Sequence, residues 1–449
     1  MRTSPVIIIG GGLAGCEAAW QLVQRGHAVH LMEMKPQKFS PAHKMEHLAE
    51  LVCSNSLKSN SLDNAPGLLK EEMRLLNSLI IKTADNTAVA AGKALAVDRL
   101  QFAQNVETEL KQNNNFSLIS GEVKEVPENS LTIIATGPLT SDALAQNIAQ
   151  TLGSAYLYFY DAIAPIVEAD SINMDNVFWA SRYDKGTPDY LNCPLKREEY
   201  EIFRQELLAA EKVAPKPFEE VRHFEGCLPI EVLAARGENT MAFGPMKPVG
   251  LIDPKTSAIP YAAVQLRREN SAGSLFNLVG FQTKLTWPEQ QRIFRLIPGL
   301  ENATFARYGS IHRNTYIQSP TLLKPSLQLI KNTNIFYAGQ ITGVEGYIES
   351  AAMGLLAGLN AAYLLEGKQL QQPPLTTAIG SLLNYITSAK SADCFQPMNI
   401  NFGLLETLAS KKMKKKERNI LYVNRALLSL NEWMKSQNIK LNYPESLRD

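Results

Sequence analysis

Cysteine is scarce in this chain: five residues in 449, with no Cys-x-x-Cys pair and no Cys/His ladder. That excludes a disulfide framework and offers no spacing for a structural zinc site, so a reducing compartment and no metal are expected. Long apolar runs are lacking as well. The opening "MRTSPVIIIGGG" has one Arg and a short apolar stretch that stops at glycines, too short for a signal core or a membrane span. A soluble, cytoplasmic protein without membrane contact is the expectation. Net charge is only +1, so no partner class follows from overall charge and any nucleic-acid contact must be local. Internal repeats and long low-complexity tracts are absent. What is present is ordinary globular composition, 45% apolar and 20% charged, in a chain long enough for two or three domains.

The first informative stretch is "SPVIIIGGGLAGCEAAWQLVQRGHAVHLMEMKP". Val6 to Ile9 read as a central parallel strand buried on both faces. Gly10, Gly12 and Gly15 follow as GxGxxG, and Ala14 to Gln24 read as a helix closed by Gly26. "HAVHLME" is a second strand ending in Glu33. This unit binds dinucleotides for physical reasons. Gly10 permits the tight turn, Gly12 lets backbone approach a pyrophosphate, and Gly15 lets helix and strand pack closely. The helix N-terminus offers free N–H groups and a positive dipole end, and Glu33 would accept a ribose hydroxyl. Gly11, Leu13 and Ala14 complete the loop, and Met34 and Lys35 follow the acid.

Two later segments choose between FAD and NAD. "SLTIIATGPLT" (130–140) is an apolar strand running into Gly137. "TNIFYAGQITGVEGYIESAAMGLLAGLNAAYLL" (333–365) is a strand, a turn at Gly339 and Gln340, and a small-residue helix from Gly346, Tyr347 and Ile348. In two-segment flavoproteins such a late strand returns to the first sheet. Gly339, Gly343, Gly346, Gly354 and Gly358 would weaken a purely structural helix, so they are read as close approach of backbone to a ligand. The cofactor read here is FAD. No second GxGxxG exists, so NAD(P)H would dock transiently, without a Rossmann domain of its own.

At this point "GGGLAGCEAAW", "AELVCSNSLKSN", "ATGPLTS", "YFYDAIAPIV", "FEGCLPIE", "FGPMKPVGL" and "FYAGQITGVEGYIESAAMGLLAG" together resemble one family. It is that of the bacterial folate- and FAD-dependent tRNA (uracil-5-)-methyltransferases, in the glucose-inhibited division protein A superfamily. The likeness spans residue 6 to about 430. The sibling that modifies wobble uridines carries a long C-terminal helical extension, for which this chain has no room. The resemblance implies tightly bound FAD, with methylenetetrahydrofolate and NAD(P)H as co-substrates. It implies 5-methyluridine in the tRNA T-loop as product, and Cys53 and Cys227 as catalytic residues.

The chemistry explains why two thiols serve. C5 of uracil is a poor nucleophile until a thiolate adds at C6, and the C5 proton must later leave, so one nucleophile and one base are required. Cys227 follows Gly226 and precedes a Leu-Pro turn, which holds a thiol rigid and accessible. Cys53 precedes a Ser/Asn loop, read as a helix N-terminal region that lowers a thiol's pKa. Cys227 is assigned to C6 and Cys53 to the C5 proton; the reverse assignment stays open. Cys16, Cys193 and Cys394 have no second feature and are read as buried packing residues.

His43, in "PAH", is read either as a face for a pterin ring or as a solvated surface residue. Trp287 and Tyr347 read more readily as core than as site. Lys411, Lys412, Lys414, Lys415, Lys416 and Arg418 crowd "SKKMKKKER" and would contact RNA phosphates; "LKREEY" and "QLRREN" are weaker patches. A target base must leave its stack to be reached, so a base-flipping pocket is implied. The architecture expected is α/β. A Rossmann-like FAD domain in two parts, 1–200 and 301–365, brackets an inserted α/β domain, 201–300, carrying Cys227. A helical segment, 366–449, carries the basic run. The chain is read as a monomer, with a dimer open. A ribosomal RNA uridine as target, a flavin-binding RNA module without turnover, and a small-substrate FAD/NAD(P)H oxidoreductase are the competing functions.

Overall fold

The computed structural model describes residues 4–152, 156–184, 187–213, 228–269, 273–368, 371–388, 395–408 and 413–439. Cys227, Cys394, Lys411 and Lys412 lie outside that set. Two sheets organise the chain. The first has five parallel strands in the order Ile335–Tyr337, Thr132–Ile134, Val6–Ile9, Val29–Glu33, Phe116–Ser120. Val6 and Ile8 are fully buried, as an unbroken apolar run requires when both sheet faces are covered. Ile335–Tyr337 pairs with Thr132–Ile134, so the chain does return to its first sheet after a long excursion.

The helix Leu13–Val23 is buried along its whole length. It packs on the helix Tyr347–Leu365, and the glycines of the latter explain how closely. A Cβ at Gly354 would overlap the carbonyl oxygen of Ala14, and one at Gly358 would lie 2.6 Å from that of Ala18. Gly339 meets Ala14, Gly343 meets the Phe395 ring, and Gly346 meets Glu349 and Lys58. At these five glycines the missing Cβ makes room for neighbouring protein, which accounts for their number by packing. By length and hydropathy Tyr347–Leu365 matches a membrane span, yet most of it is buried inside the fold.

The second sheet is antiparallel, in the order Phe178–Ala180, Tyr190–Leu195, Ala262–Arg268, Leu275–Leu278, Ile166–Glu168, Phe305–Arg307. Three of these strands precede residue 200, so the inserted layer begins well before the expected 201–300. The paired strands Tyr156–Ile163 and Ser310–Ile317 carry the chain out and back. The apolar cores divide the same way. One gathers residues from Val6 to Ile148 and from Tyr316 to Ile439. The other gathers residues from Val167 to Ala303. The C-terminal helices Ala378–Thr387 and Lys415–Ser436 belong to the first core rather than to a layer of their own.

Alternation along Ala262–Arg268 sets the faces of the second sheet. Ala262, Val264 and Leu266 enter its core. Gln265 and Arg267 turn to the other face, towards the first half of the molecule, where Gln265 donates to Asn192 at 2.9 Å.

Two buried carboxylates cap helices in the first core. Glu17 accepts from Ser78 Oγ at 2.6 Å and from the Ile80 N–H at 3.0 Å, at the start of Leu79–Asn86. Glu72 accepts from the N–H groups of Ala378 and Ile379 at 2.7 and 2.8 Å. Burial pushes both carboxyls up, Glu72 to about 8.

Candidate functional site

A cleft opens at the C-terminal ends of the parallel strands, where open α/β sheets bind ligands. Gly10 (φ +104°) makes the turn after the first strand, and a Cβ there would lie 2.7 Å from the Ala135 carbonyl oxygen. A Cβ at Gly12 or Gly137 would meet nothing within 4 Å, so both present bare backbone to the cleft. Gly12 starts the helix Leu13–Val23 without a side-chain cap. The N–H groups of its first turn are left for a ligand. Glu33 lines the cleft and orders the loop, accepting from the Gly11 N–H at 2.7 Å and the Lys35 N–H at 3.0 Å. A carboxylate has lone pairs to spare for a hydroxyl.

The expected cofactor residues divide. Gly10, Gly12, Leu13, Ala14, Glu33, Met34, Gly137, Gln340 and Tyr347 line the cleft, and so does His43, whose Nδ1 lies 2.5 Å from Ser40 Oγ. Gly11, Gly15, Lys35, Gly339, Gly346 and Ile348 are absent from its wall. The Lys35 ammonium is turned away and donates to the His47 carbonyl at 2.5 Å.

Cys53 is half-buried and follows Val52, which lines this cleft together with Tyr347. It does not stand at a helix N-terminus; the chain runs on into the short strand Ser56–Ser59. What surrounds it is a clamp. The Tyr347 hydroxyl accepts from the N–H groups of Cys53 and Ser54 at 2.6 and 3.2 Å. Arg99 Nη1 donates to the Leu51 carbonyl at 2.7 Å. From the second sheet, Arg267 donates to Ser54 Oγ at 2.7 Å and Asn55 Oδ1 at 3.0 Å. Buried Lys70 donates to the Leu57 and Ser59 carbonyls at 2.9 and 2.7 Å, and burial pushes its ammonium down to about 7.

The electrostatics come from arginine. Arg99, Arg267 and Arg307 all interact with the Cys53 charge, and one carboxylate, Glu269, stands among them, 2.6 Å from Arg99 Nε. Burial lowers Arg267 and Arg307; burial is also the largest effect on Arg99, but Glu269, Tyr347 and Cys53 together outweigh it and raise it. Burial, then the Cys53 charge, pushes the Tyr347 phenol up. Among the described residues, three guanidinium groups and the Glu269 carboxylate meet here, which makes the surroundings of Cys53 electropositive.

Sequence reasoning missed this clamp. Arg267 belongs to "QLRREN", read as a weak RNA patch, yet it is only 6% exposed. Strand alternation was the available signal, since Gln265, Arg267 and Glu269 fall on one face of a buried strand and need partners there. Cys16 and Cys193 are fully buried, and burial pushes both thiols up. Trp287 is 63% exposed and stacks on Tyr308, against the core reading. Of the basic run, Lys414, Lys416 and Arg418 are exposed at the start of Lys415–Ser436, and the Lys415 side chain lies outside the described residues.

A family model described as glucose inhibited division protein A matches residues 5–369. The chain is 60% identical over 433 residues to methylenetetrahydrofolate–tRNA-(uracil-5-)-methyltransferase TrmFO of Syntrophus aciditrophicus, covering 96% of this chain and 98% of that one. It is 57% identical over 435 residues to the protein of the same name from Halalkalibacterium halodurans, covering 97% and 100%. The solved structure of Aquifex aeolicus GidA superposes with a TM-score of 0.69 at 16% identity, over 97% of this chain and 76% of that one, a likeness of fold. The chain belongs to the glucose inhibited division protein A family, among its methylenetetrahydrofolate–tRNA-(uracil-5-)-methyltransferases.

Proposed function

We propose that this protein methylates C5 of a tRNA uridine with methylenetetrahydrofolate as carbon donor and FAD as cofactor. The observation that supports the reading is the hydrogen bond from the Cys53 N–H to Tyr347, a residue that lines a cleft with the features of a dinucleotide site. The residues fit FAD: bare backbone at Gly12 and Gly137, an uncapped helix N-terminus, and the Glu33 carboxylate. Bound there, FAD would supply the reducing equivalents that turn a methylene unit into a methyl group.

The chain's own groups handle the uracil. Cys227 is the thiolate that adds at C6, which makes C5 nucleophilic. Cys53, in its arginine field, takes the C5 proton, after which C5=C6 re-forms and the Cys227 sulfur leaves. The clamp around residues 51–55 fixes the acceptor, so this proton transfer needs no reorganisation of the loop. His43 meets the pterin; its position on the cleft wall supports this role. NAD(P)H serves as the external reductant. Lys411, Lys412, Lys414, Lys415, Lys416 and Arg418 hold phosphates of the RNA.

The test is methyl incorporation into an unmodified tRNA transcript, with NADPH and methylenetetrahydrofolate, comparing the natural chain with Cys53→Ala and Cys227→Ala. Both variants should bind FAD and make no 5-methyluridine. A fully active Cys227→Ala protein would remove the nucleophile. Activity on a ribosomal RNA fragment with none on tRNA would move the substrate.

A further inference from the structure

Buried polar atoms are almost always hydrogen-bonded, so a group of them without partners calls for an explanation. Three occur together beside the Cys53 clamp: Arg99 Nη2, Glu269 Oε1 and Asn277 Nδ2. The second sheet brings them to one place. Arg267, which holds Ser54 and Asn55, pairs directly across the strands with Asn277, so the two side chains share a face. Glu269 lies two positions beyond Arg267, on that same face by alternation, and its N–H continues the ladder to the Leu275 carbonyl. Arg99 reaches the group from the first half of the molecule, with its Nε 2.6 Å from Glu269 Oε2. An Arg–carboxylate pair ordinarily closes a second, parallel bond. Here the outer arms, Arg99 Nη2 and Glu269 Oε1, are both left open. Glu269 and Asn277 are each 3% exposed, so bulk water does not explain the open valences.

The inventory is two donors and one acceptor. The imide edge of uracil, O2, N3–H and O4, is two acceptors and one donor. We infer that Arg99, Glu269 and Asn277 form the subsite that recognises the target base as uracil: Glu269 accepts from N3–H, and Arg99 and Asn277 donate to the two carbonyl oxygens. Cytosine presents an acceptor at N3 and an amino group at C4, and would set lone pair against carboxylate and donor against donor. The subsite stands next to the thiol that acts on the same ring, so base identity and reaction are read in one place. This inference rests on the methyltransferase reading.

The experiment uses the FAD-loaded full chain and a T-loop RNA hairpin carrying uridine or 3-deazauridine at the target position; the latter has C–H where uridine has N3–H. The rate ratio between the two RNAs is compared for the natural chain and Glu269→Gln, so that intrinsic reactivity cancels. Glu269→Gln should narrow the ratio by about 10- to 100-fold, the range for leaving a buried polar group unpaired. Flavin absorbance should stay unchanged. Asn277→Ala, the milder variant, should slow methylation of uridine about 5-fold or more without altering FAD content. An unchanged ratio in an active Glu269→Gln enzyme would overturn the subsite alone. A natural chain that binds FAD but methylates no uridine would overturn the functional reading and the subsite with it.

Discussion

The hydroxyl of Tyr347 accepts the backbone N–H of Cys53 at 2.6 Å, across 294 positions of sequence. The first residue of the returning helix thus fixes the loop that carries the thiol, and the same oxygen also holds Ser54. In Tyr347→Phe two backbone donors lose their acceptor. The expected cost is about 1–3 kcal/mol of stability, read from urea unfolding. Methylation should fall more than FAD content does. Full methylation by the Phe variant would show that the loop holds itself.

Gly354 lies where two helices nearly touch. A methyl group there would overlap the Ala14 carbonyl oxygen, so Gly354→Ala must push Tyr347–Leu365 away from Leu13–Val23. Overpacking of this kind costs about 1–3 kcal/mol. The shift reaches the glycine loop through Ala14, so the purified variant should also carry less flavin. Thermal unfolding and flavin absorbance check both effects.

Glu72 gives stability a pH dependence. Its carboxyl titrates at about 8 in the folded chain, raised by burial from 4.5. The folded state therefore holds a proton that the unfolded state releases. This contribution is complete below about pH 4.5 and is lost as pH rises through about 8. Glu72→Gln should flatten that part of the unfolding free energy measured from pH 5 to 8.5. An unchanged slope would assign the dependence to other groups.

Lys414, Lys416 and Arg418 are exposed on one helix start. Replacing all three by Gln should weaken tRNA binding and lower the slope of log K against log salt by about 2–3, if each meets one phosphate. Flavin content should not change. A slope equal to that of the natural chain would place the RNA elsewhere.

The glycine loop was legible because every part of it lies within residues 6–33, where strand, turn, helix and acid follow in order. The return strand was legible for a similar reason, an apolar run ending in a glycine turn. The inserted layer was misjudged because its strands are short and pair with distant partners; Tyr190–Leu195, for example, pairs with Ala262–Arg268. The glycines of Tyr347–Leu365 announced a close approach but not to what; only packing names Ala14 and Ala18. The surroundings of Cys53 were illegible for the same cause. Arg99, Arg267 and Tyr347 reach it from three separate parts of the chain, and nothing local to "LVCSNS" refers to any of them.

The late position of Ile335–Tyr337 also bears on how this protein is made. Until the ribosome has passed that strand, Thr132–Ile134 is an open sheet edge, and the face of Leu13–Val23 that meets Tyr347–Leu365 is uncovered. The emerging chain therefore carries a glycine loop without its floor, and its second sheet is complete first. Flavin capture belongs to the last stretch of synthesis, and a nascent chain halted before residue 333 is exposed along that edge to pairing with its neighbours.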